Sequence, residues 1–275
     1  MTARLATRFA SLRVQRRAAL VAYVMASDPD HDTCLEILRG LPAAGADIIE
    51  LGFPFSDPMA DGPSVQRAGQ RALKAGGSLN KTLDLARRFR ERDNDTPLIL
   101  MGYANPIEQM TPQRFADTAQ ASGVDGVIIV DLPPEEDAPT RAALAAKDIA
   151  VIRLATPTTD DKRLTKVLEG ASGFLYYVSV AGVTGANSAP EAAIKTAVTR
   201  LKRATDLPIA VGFGVRGPEA ARAIALIADA VVVGSAFVDE IAAGPQAQAA
   251  ERVLRKVAEI SEAVRHARAK EGTPA

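Results

Sequence analysis

The sequence predicts an α/β fold, a (βα)8 barrel formed by one domain over residues 1–275. Strand-like runs alternate with helical patterns eight times, and no change in composition divides the chain. The strand-like runs are almost continuously apolar, which is typical of parallel strands buried on both faces. Eight such units fit one closed barrel of about 250 residues. An open doubly wound sheet is the alternative, but residues 26–29 (Ala-Ser-Asp-Pro) stand where its glycine-rich fingerprint would follow the first strand.

The individual elements are predicted from the same runs, in chain order. Strands are expected at residues 20–26, 47–52, 97–103, 126–132, 150–156, 174–180, 208–215 and 230–238. Helices are expected at residues 31–44, 64–75, 79–93, 111–122, 138–147, 159–171, 189–204, 217–228 and 246–270. Pro112 and Pro218 mark helix starts, because proline is favoured at the first helical position. Asp160 and Asp161 place acid in a first turn, where the helix dipole favours it.

The N-terminal segment is basic and needs its own interpretation. Residues 1–27 contain five arginines and no acid, a pattern that also occurs in organelle transit peptides. Leu5, Phe9 and Leu12 share one face of a helix, which indicates an amphipathic helix instead. A hydrophobic strand follows with no linker, so an extra N-terminal helix over residues 1–17 is favoured. Residues 271–275 are expected to form a short C-terminal tail.

Composition excludes several classes of function. Lys+Arg and Asp+Glu number 33 each, so no basic field favours nucleic acid or an anionic membrane. No apolar run reaches the roughly 18 residues that a membrane span requires. The one cysteine, Cys34, cannot form an internal disulfide, and we expect a reducing, cytoplasmic location. Two histidines cannot supply a three-histidine zinc site, and no metal is expected.

Glycines follow three of the late strands and suggest a phosphate site. They lie at 212–214, at Gly234 before Ser235, and at 182–185. Glycine allows backbone N–H groups to approach an anion, and a helix N-terminus adds its dipole. For any one loop, a tight turn is the simpler explanation. Glycines after strands seven and eight together favour phosphate, because many barrels bind phosphate there.

Two acids near the end of strand two are candidates for acid–base chemistry. Glu50 lies inside an apolar strand, where burial without a partner is costly and raises a carboxyl pKa. Asp61 follows in a loop stiffened by Pro54 and Pro58. Two carboxyls in different environments suit general acid–base catalysis. The alternative is a structural, paired Glu50 and solvated loop acids. Arg153, a charge within strand five, either extends to a strand end or faces a buried acid.

Several segments resemble the tryptophan synthase alpha subunit family. The segment 50–63 (ELGFPFSDPMADGP) is similar to the family signature, and shorter similar segments follow in order at 101–106, 130–133, 176–179 and 182–185. The resemblance extends over nearly the whole chain and implies a phosphate-binding (βα)8 barrel. Met25 and Ser27 depart from residues that are common in the family, and Val180 lies at a position that varies in it.

The resemblance implies a lyase that cleaves indole-3-glycerol phosphate to indole and glyceraldehyde 3-phosphate. Glu50 then corresponds to the general acid–base that protonates indole C3, and Asp61 to the carboxylate that interacts with the indole N–H. Tyr176 corresponds to a strand-six tyrosine near Glu50. The remaining substrate-binding positions implied by the family are Tyr23 and Met101 for indole, and Gly185, Gly214, Gly234 and Ser235 for phosphate.

The family also implies a partner, a beta subunit that condenses indole with serine using pyridoxal phosphate, in an alpha2beta2 heterotetramer. No cofactor site is expected in this chain. The contact surface is expected on the C-terminal barrel rim, with segment 182–188 as a lid. Its expected residues are Phe55, Asp57, Pro58, Met59, Asn105, Pro106 and Asp131; the alternative, which is less favoured, is that these loops are plain surface turns.

Three other functions remain as alternatives. The first is a stand-alone indole-releasing lyase, and the second is another phosphate-binding barrel enzyme. The third is a non-catalytic subunit that activates a partner, which the loss of Glu50 or Asp61 would have favoured. A Schiff-base aldolase is disfavoured, since no lysine lies in the eight predicted strands.

Overall fold

The computed structural model describes residues 3–179, 191–212 and 214–269. The strands of these residues are β1 (Ala19–Met25), β2 (Ile48–Gly52), β3 (Leu98–Gly102), β4 (Gly126–Ile129), β5 (Ala150–Val151), β6 (Arg153–Ala155), β7 (Leu175–Val178), β8 (Ile209–Gly212) and β9 (Ala230–Val233). The helices are α1 (Ala3–Val14), α2 (His31–Gly40), α3 (Pro63–Lys74), α4 (Leu79–Arg90), α5 (Ala104–Met110), α6 (Pro112–Ala121), α7 (Ala138–Ala145), α8 (Asp161–Leu168), α9 (Glu191–Ala204), α10 (Pro218–Ile227), α11 (Ser235–Ala242) and α12 (Ala249–His266), with a 3₁₀ turn at Gln246–Gln248. None of these helices is long and apolar enough to cross a membrane.

The strands form one parallel sheet that closes into a barrel. The hydrogen-bonded order is β5-β4-β3-β2-β1-β9-β8-β7-β6. β5 and β6 lie at opposite ends of this order, yet only Ile152 separates them in the chain. They are therefore two halves of one extended segment, which pairs with β4 through its first half and with β7 through its second. The predicted (βα)8 barrel is confirmed, and the predicted fifth strand is divided in two.

Side chains alternate between the barrel interior and the helical layer. On β1, Ala19 and Val21 point inward, whereas Leu20 and Ala22 point toward the surrounding helices. The interior is filled by apolar side chains at its N-terminal end. These include the buried face of α1, which adds Leu5, Phe9 and Leu12 to the same cluster. The α1 helix thus closes that end of the barrel, and the predicted N-terminal helix is confirmed.

Three aspartates fasten neighbouring strands at the N-terminal end of the barrel. Asp47, Asp125 and Asp229 each lie one residue before a strand. Each carboxylate accepts the N–H of the first or second residue of an adjacent strand, at 2.9 Å in all three cases. The donors are Leu20 on β1, Leu98 on β3 and Ile209 on β8. The same hydrogen bond therefore occurs three times, and each one links a pair of neighbouring strands at their N-terminal ends.

Arginines of the N-terminal segment pair with two of these aspartates, Asp47 and Asp125. Arg17 donates two hydrogen bonds to Asp47, at 2.8 and 2.7 Å. Arg4 donates to Asp125 at 2.9 Å, and Arg90 donates to the other oxygen of that carboxylate at 2.7 Å. The arginines that resembled a transit signal therefore attach α1 to the barrel.

The structure differs from the predicted elements at two places on the C-terminal rim. The predicted last strand, 230–238, ends at Val233, and residues 235–238 belong to α11. A run of apolar residues is compatible with either element, so periodicity did not separate them. The segment 104–110, predicted as loop, is the helix α5. Pro106 lies in its first turn, where the missing N–H has no intrahelical acceptor to lose.

Candidate active site

Glu50 lies inside the barrel mouth, on β2. Strand alternation points it inward, and in register it lies between Tyr23 of β1 and Ile99 of β3. The residue is 1% exposed, and its Oε2 has no hydrogen-bond partner among the described residues. Burial, and then the nearby charge of Asp61, raise the pKa of Glu50 to about 8. At neutral pH this carboxyl is therefore protonated and able to donate.

Asp61 approaches from the acid loop, which we define as residues 53–62 between β2 and α3. Burial raises the pKa of Asp61 to about 6, and a hydrogen bond from the Tyr103 hydroxyl opposes that rise. The same hydroxyl accepts the N–H of Ala60 at 3.1 Å. The ring of Phe55 lies against that of Tyr103, with centroids 5.4 Å apart. Tyr103 thus holds the end of the acid loop through three contacts.

Tyr103 is a candidate site residue to which the sequence analysis assigns no role. Its signal was modest: a tyrosine directly after β3, at the barrel end where catalytic residues gather. Only the fold brings it to Asp61, which is 42 residues away in the chain.

Two buried tyrosines flank Glu50 inside the barrel. Tyr23 and Tyr176 point inward from β1 and β7, and burial raises the pKa of both well above the ordinary tyrosine value. Both phenols therefore stay neutral and can donate hydrogen bonds. A Cβ at Gly52 would overlap the hydroxyl of Tyr23, and one at Gly212 would overlap that of Tyr176. The two inward-facing glycines make room for the tyrosines.

An apolar wall lies beside the two acids. Met101, half-buried on β3, packs against both the barrel-interior cluster and a smaller cluster at the mouth. The smaller cluster comprises Tyr23, Met25, Ala68, Ala72 and Val238, with Val65 and Met101 packed against it. Such a surface suits a flat aromatic ring, and it brings together the predicted indole-binding residues Tyr23 and Met101.

The predicted phosphate-binding residues that the structure describes follow two adjacent strands, β8 and β9. Gly214 has φ of +80°, and a Cβ there would meet open space, so its backbone is accessible. Gly234 precedes α11, and Ser235 is its first residue. The first N–H groups of a helix lack intrahelical acceptors and attract anions. We call Gly214, Gly234 and Ser235 the phosphate cradle; Gly185 and the segment 182–188 lie outside the described residues.

Gly234 also has a packing role. A Cβ at this position would lie 3.2 Å from a ring carbon of Tyr23, which is a tight contact that the ring would have to relieve by a small shift. The glycine after β9 therefore brings the cradle and the tyrosine into contact. Because Gly234 has no side chain, Tyr23 can pack against it, and the same feature would allow an anion to approach its backbone.

Three of the seven predicted partner-contact residues are exposed on the rim, and the other four are half-buried. Asp57 and Met59 are exposed, Met59 to 72%, whereas Phe55 and Pro58 are half-buried. The Ser56 hydroxyl donates to Asp57 at 2.5 Å. Together with α3, this part of the acid loop borders a groove of about 400 Å³. The rim therefore presents an apolar surface with the exposed carboxylate of Asp57 at its edge.

Asp131 joins two rim segments. Its Oδ1 accepts the N–H of Ala104, the first residue of α5, at 2.8 Å. Asp131 therefore caps a helix that begins after the neighbouring strand. Asn105 lies exposed and Pro106 half-buried in the first turn of that helix. A residue predicted for partner contact thus also orders the surface around the other two.

The structure shows the surroundings of two further polar residues, Arg153 and Ser27. Arg153 forms a buried ion pair with Asp137, which also pairs with Arg141 at 3.2 Å. Arg153 therefore faces a buried acid rather than extending to a strand end. Ser27 has φ of +64°, a conformation that favours glycine, and its hydroxyl lies 3.4 Å from Nδ1 of His31. This backbone conformation accounts for the glycine that is common at position 27, and serine adopts it here with its hydroxyl beside His31.

Comparison with known proteins gives consistent results. Residues 9–269 match the family model described as tryptophan synthase alpha chain. The tryptophan synthase alpha chain of Caulobacter sp. (strain K31) is 59% identical, over 96% of this chain and 97% of its own length. That of Caulobacter vibrioides (strain NA1000 / CB15N) is 58% identical over the same shares.

Solved structures agree. The crystal structure of tryptophan synthase subunit alpha from Legionella pneumophila str. Paris superposes with a TM-score of 0.89 at 36% identity, covering 96% of this chain and 99% of that one. A chain of Mycobacterium tuberculosis tryptophan synthase gives a TM-score of 0.88 at 35% identity, with the same coverage.

Proposed function

The chain belongs to the tryptophan synthase alpha chain family, and from that membership we propose how its residues perform the family reaction. The chain is a carbon–carbon lyase that cleaves indole-3-glycerol phosphate to indole and glyceraldehyde 3-phosphate. The observation that carries the proposal is the pairing of buried Glu50, with its pKa raised to about 8, and Asp61, with its pKa raised to about 6. At neutral pH one acid holds its proton and the other is ionised.

Glu50 starts the reaction as a general acid. It donates its proton to C3 of the indole ring, which places positive charge on the ring nitrogen. The ionised Asp61 accepts a hydrogen bond from the indole N–H and stabilises that charge. The ring then serves as the electron sink that an aldolase otherwise obtains from a Schiff base or a metal.

Carbon–carbon cleavage completes the proton balance. The hydroxyl of the adjoining glycerol carbon loses its proton to the Glu50 carboxylate as its C–O bond becomes the aldehyde. The electrons of the broken bond return to the indole ring, which is released as neutral indole. Glu50 ends protonated, as it began, so no external acid or base is consumed.

Positioning is assigned to three sets of residues. The phosphate cradle holds the phosphate, which is supported by the open backbone at Gly214 and by the helix N-terminus at Ser235. The apolar wall around Met101 holds the indole ring. Tyr23 and Tyr176 stay neutral beside Glu50 and exclude water from it.

Family membership implies a beta-subunit partner. We further propose an alpha2beta2 heterotetramer with pyridoxal phosphate held by the beta subunit alone. The docking surface is the rim formed by the acid loop, the start of α5 and Asp131. Its support is the exposed apolar Met59 beside the carboxylate of Asp57. Indole is apolar enough to leak through membranes, so direct transfer to a partner preserves it.

Indole release from indole-3-glycerol phosphate tests this function directly. Indole is quantified chromatographically for the chain alone and with a cognate beta subunit. We expect slow turnover by the isolated chain and a marked increase with the partner. Unchanged turnover, together with no complex on gel filtration, would support a stand-alone lyase instead. No indole under either condition would refute the assigned reaction.

A further inference from the structure

The side chain of Asp239, on α11, contacts two other segments of the barrel rim. The hydroxyl of Ser64 donates to Oδ2 at 3.0 Å, and Arg67 lies 3.6 Å from Oδ1; both residues are on α3. Arg216, which follows β8, reaches Oδ2 at 3.3 Å. One carboxylate thus joins α3, α11 and the segment between β8 and α10.

Each of these segments carries part of the site. Ser64 comes three residues after Asp61, at the point where the acid loop becomes α3. Arg216 comes two residues after Gly214 of the phosphate cradle. Asp239 lies one helical turn after Ser235, also of the cradle. Asp239 therefore connects the loop that holds the second carboxyl with both halves of the phosphate cradle.

The contacts differ in strength. The Asp239 side chain is 38% exposed, and those of Arg67 and Arg216 are 60% and 68% exposed. Ion pairs at such positions contribute little to global stability. Ser64 is buried, at 6% exposure, so its hydrogen bond to Asp239 is shielded from water. A second tie runs beside it, from Arg71 of α3 to the carbonyl of Val238 at 3.4 Å.

We propose that Asp239 is a positioning residue that couples phosphate binding to the placement of Asp61. The proposal rests on the proposed function, since it takes Asp61 and the phosphate cradle as parts of one site. An anion at the cradle draws the start of α11 and the Gly214 turn together. Because Asp239 accepts the Ser64 hydroxyl, a shift of α11 also shifts the start of α3 and the acid loop directly before it.

This role makes a prediction that mere stabilisation does not. Removing the carboxylate leaves Glu50 and the barrel interior untouched. It frees the cradle and the acid loop to move independently, so phosphate affinity falls and kcat at saturating substrate also falls. A change that only weakened the fold would lower the unfolding midpoint and leave the kinetic constants of the folded protein unchanged.

The test compares Asp239→Ala and Asp239→Asn with the unaltered chain. Asparagine keeps an acceptor for the Ser64 hydroxyl but loses the charge that attracts the two arginines. We expect Asp239→Ala to weaken glycerol 3-phosphate binding in calorimetry about three- to tenfold and to lower kcat by a similar factor. Asp239→Asn is expected to recover part of the loss in kcat. Glu240→Ala, which removes an acid from the next position of α11, is the matched control and should retain both values.

A double-mutant cycle with Ser64→Ala identifies the route. If Asp239 acts on the acid loop through Ser64, the double variant loses no more kcat than Asp239→Ala alone. Wild-type kcat and glycerol 3-phosphate affinity in Asp239→Ala, with an unaltered protein that cleaves substrate normally, would overturn the coupling and leave the lyase function intact. Losses that match a lowered unfolding midpoint and equal those of Glu240→Ala would also overturn it. An unaltered protein that forms no indole would instead refute the function, and the coupling with it.

Discussion

Asp61 raises the pKa of Glu50 across the barrel mouth, although the two acids come from different structural contexts. Glu50 lies on a strand and is 1% exposed, whereas Asp61 ends a loop and is half-buried. Burial dominates both shifts, and the hydrogen bond from Tyr103 keeps Asp61 the stronger acid. The difference in surroundings assigns the donor role to one carboxyl and the charged role to the other.

The first prediction concerns the pH dependence of kcat/KM. Activity requires Asp61 ionised and Glu50 protonated. The rate should therefore rise as pH increases through about 6 and fall as it increases through about 8. A pH series of indole formation measures both limbs. Because the two acids interact, the limbs report the pair as a unit. An activity that keeps increasing above pH 9 would contradict the donor role of Glu50.

The second prediction concerns Glu50→Gln. Glutamine preserves size and can occupy the same space, but it cannot donate and recover a proton. We expect kcat to fall by at least ~10²-fold, within the range for a general acid–base group. Glycerol 3-phosphate binding, measured by calorimetry, should stay at the wild-type value because the cradle is unaffected. Normal indole formation by the folded variant would remove Glu50 from the mechanism.

The third prediction concerns the stability of the same variant. The folded state keeps the Glu50 proton up to about pH 8, whereas the unfolded chain releases it near the ordinary value of 4.5. Between these values, rising pH favours unfolding of the wild type. Glutamine escapes this penalty, which amounts to roughly 3 kcal/mol at pH 7 as an upper estimate. In urea unfolding from pH 5 to 8, the free energy of unfolding of the variant should increase relative to that of the wild type as pH increases. A difference that stays constant with pH would contradict the buried, protonated state of Glu50.

The fourth prediction concerns the phosphate cradle. Ser235→Asp places a negative charge at the start of α11, where the phosphate should bind. Glycerol 3-phosphate affinity should fall at least about 100-fold, because like charges repel at close range in a partly desolvated site. Ser235→Ala is the matched control and should lose far less, since the backbone N–H groups remain. Gly214→Asp should also abolish binding, with additional backbone strain at φ of +80°. Unchanged affinity in both aspartate variants would move the phosphate site elsewhere.

The fifth prediction concerns the partner. Asp57→Ala removes an exposed carboxylate from the rim but leaves Glu50 and Asp61 in place. It should reduce the increase in indole formation caused by a beta subunit while basal turnover stays unchanged. Asp206→Ala removes an exposed acid near the opposite end of the barrel, before β8, and should leave the increase intact. Equal activation of both variants would place the docking surface away from the acid loop.

Hydrophobic patterning predicted the barrel because its strands are buried on both faces, a property visible in the residues themselves. It could not predict the break at Ile152, where the fifth segment passes its hydrogen bonds from β4 to β7. Likewise, Ala104 begins a helix because Asp131, 27 residues away, accepts its N–H. Such a cap is formed by the tertiary fold and leaves no local pattern in the sequence.

The candidate site, like the fold, could be predicted only in part. A lone acid in an apolar strand is a signal by itself, so Glu50 could be chosen from chemistry, and the family resemblance supplied the roles of its neighbours. Tyr103 and Asp239 are polar residues at ordinary positions, on a strand end and a helix. Their significance comes from contacts with Asp61 and Ser64, across distances in the chain that no local motif spans.

The closure of the N-terminal end by α1 determines the route by which substrate and product reach and leave the barrel interior. Leu5, Phe9 and Leu12 fill that end with side chains, so the barrel is open only at its C-terminal end. Substrate must enter, and indole must leave, through the mouth that carries the rim. The partner that we propose on that mouth would then control both the entry of substrate and the loss of product. By closing the N-terminal end, α1 leaves the mouth as the route for both substrate and product.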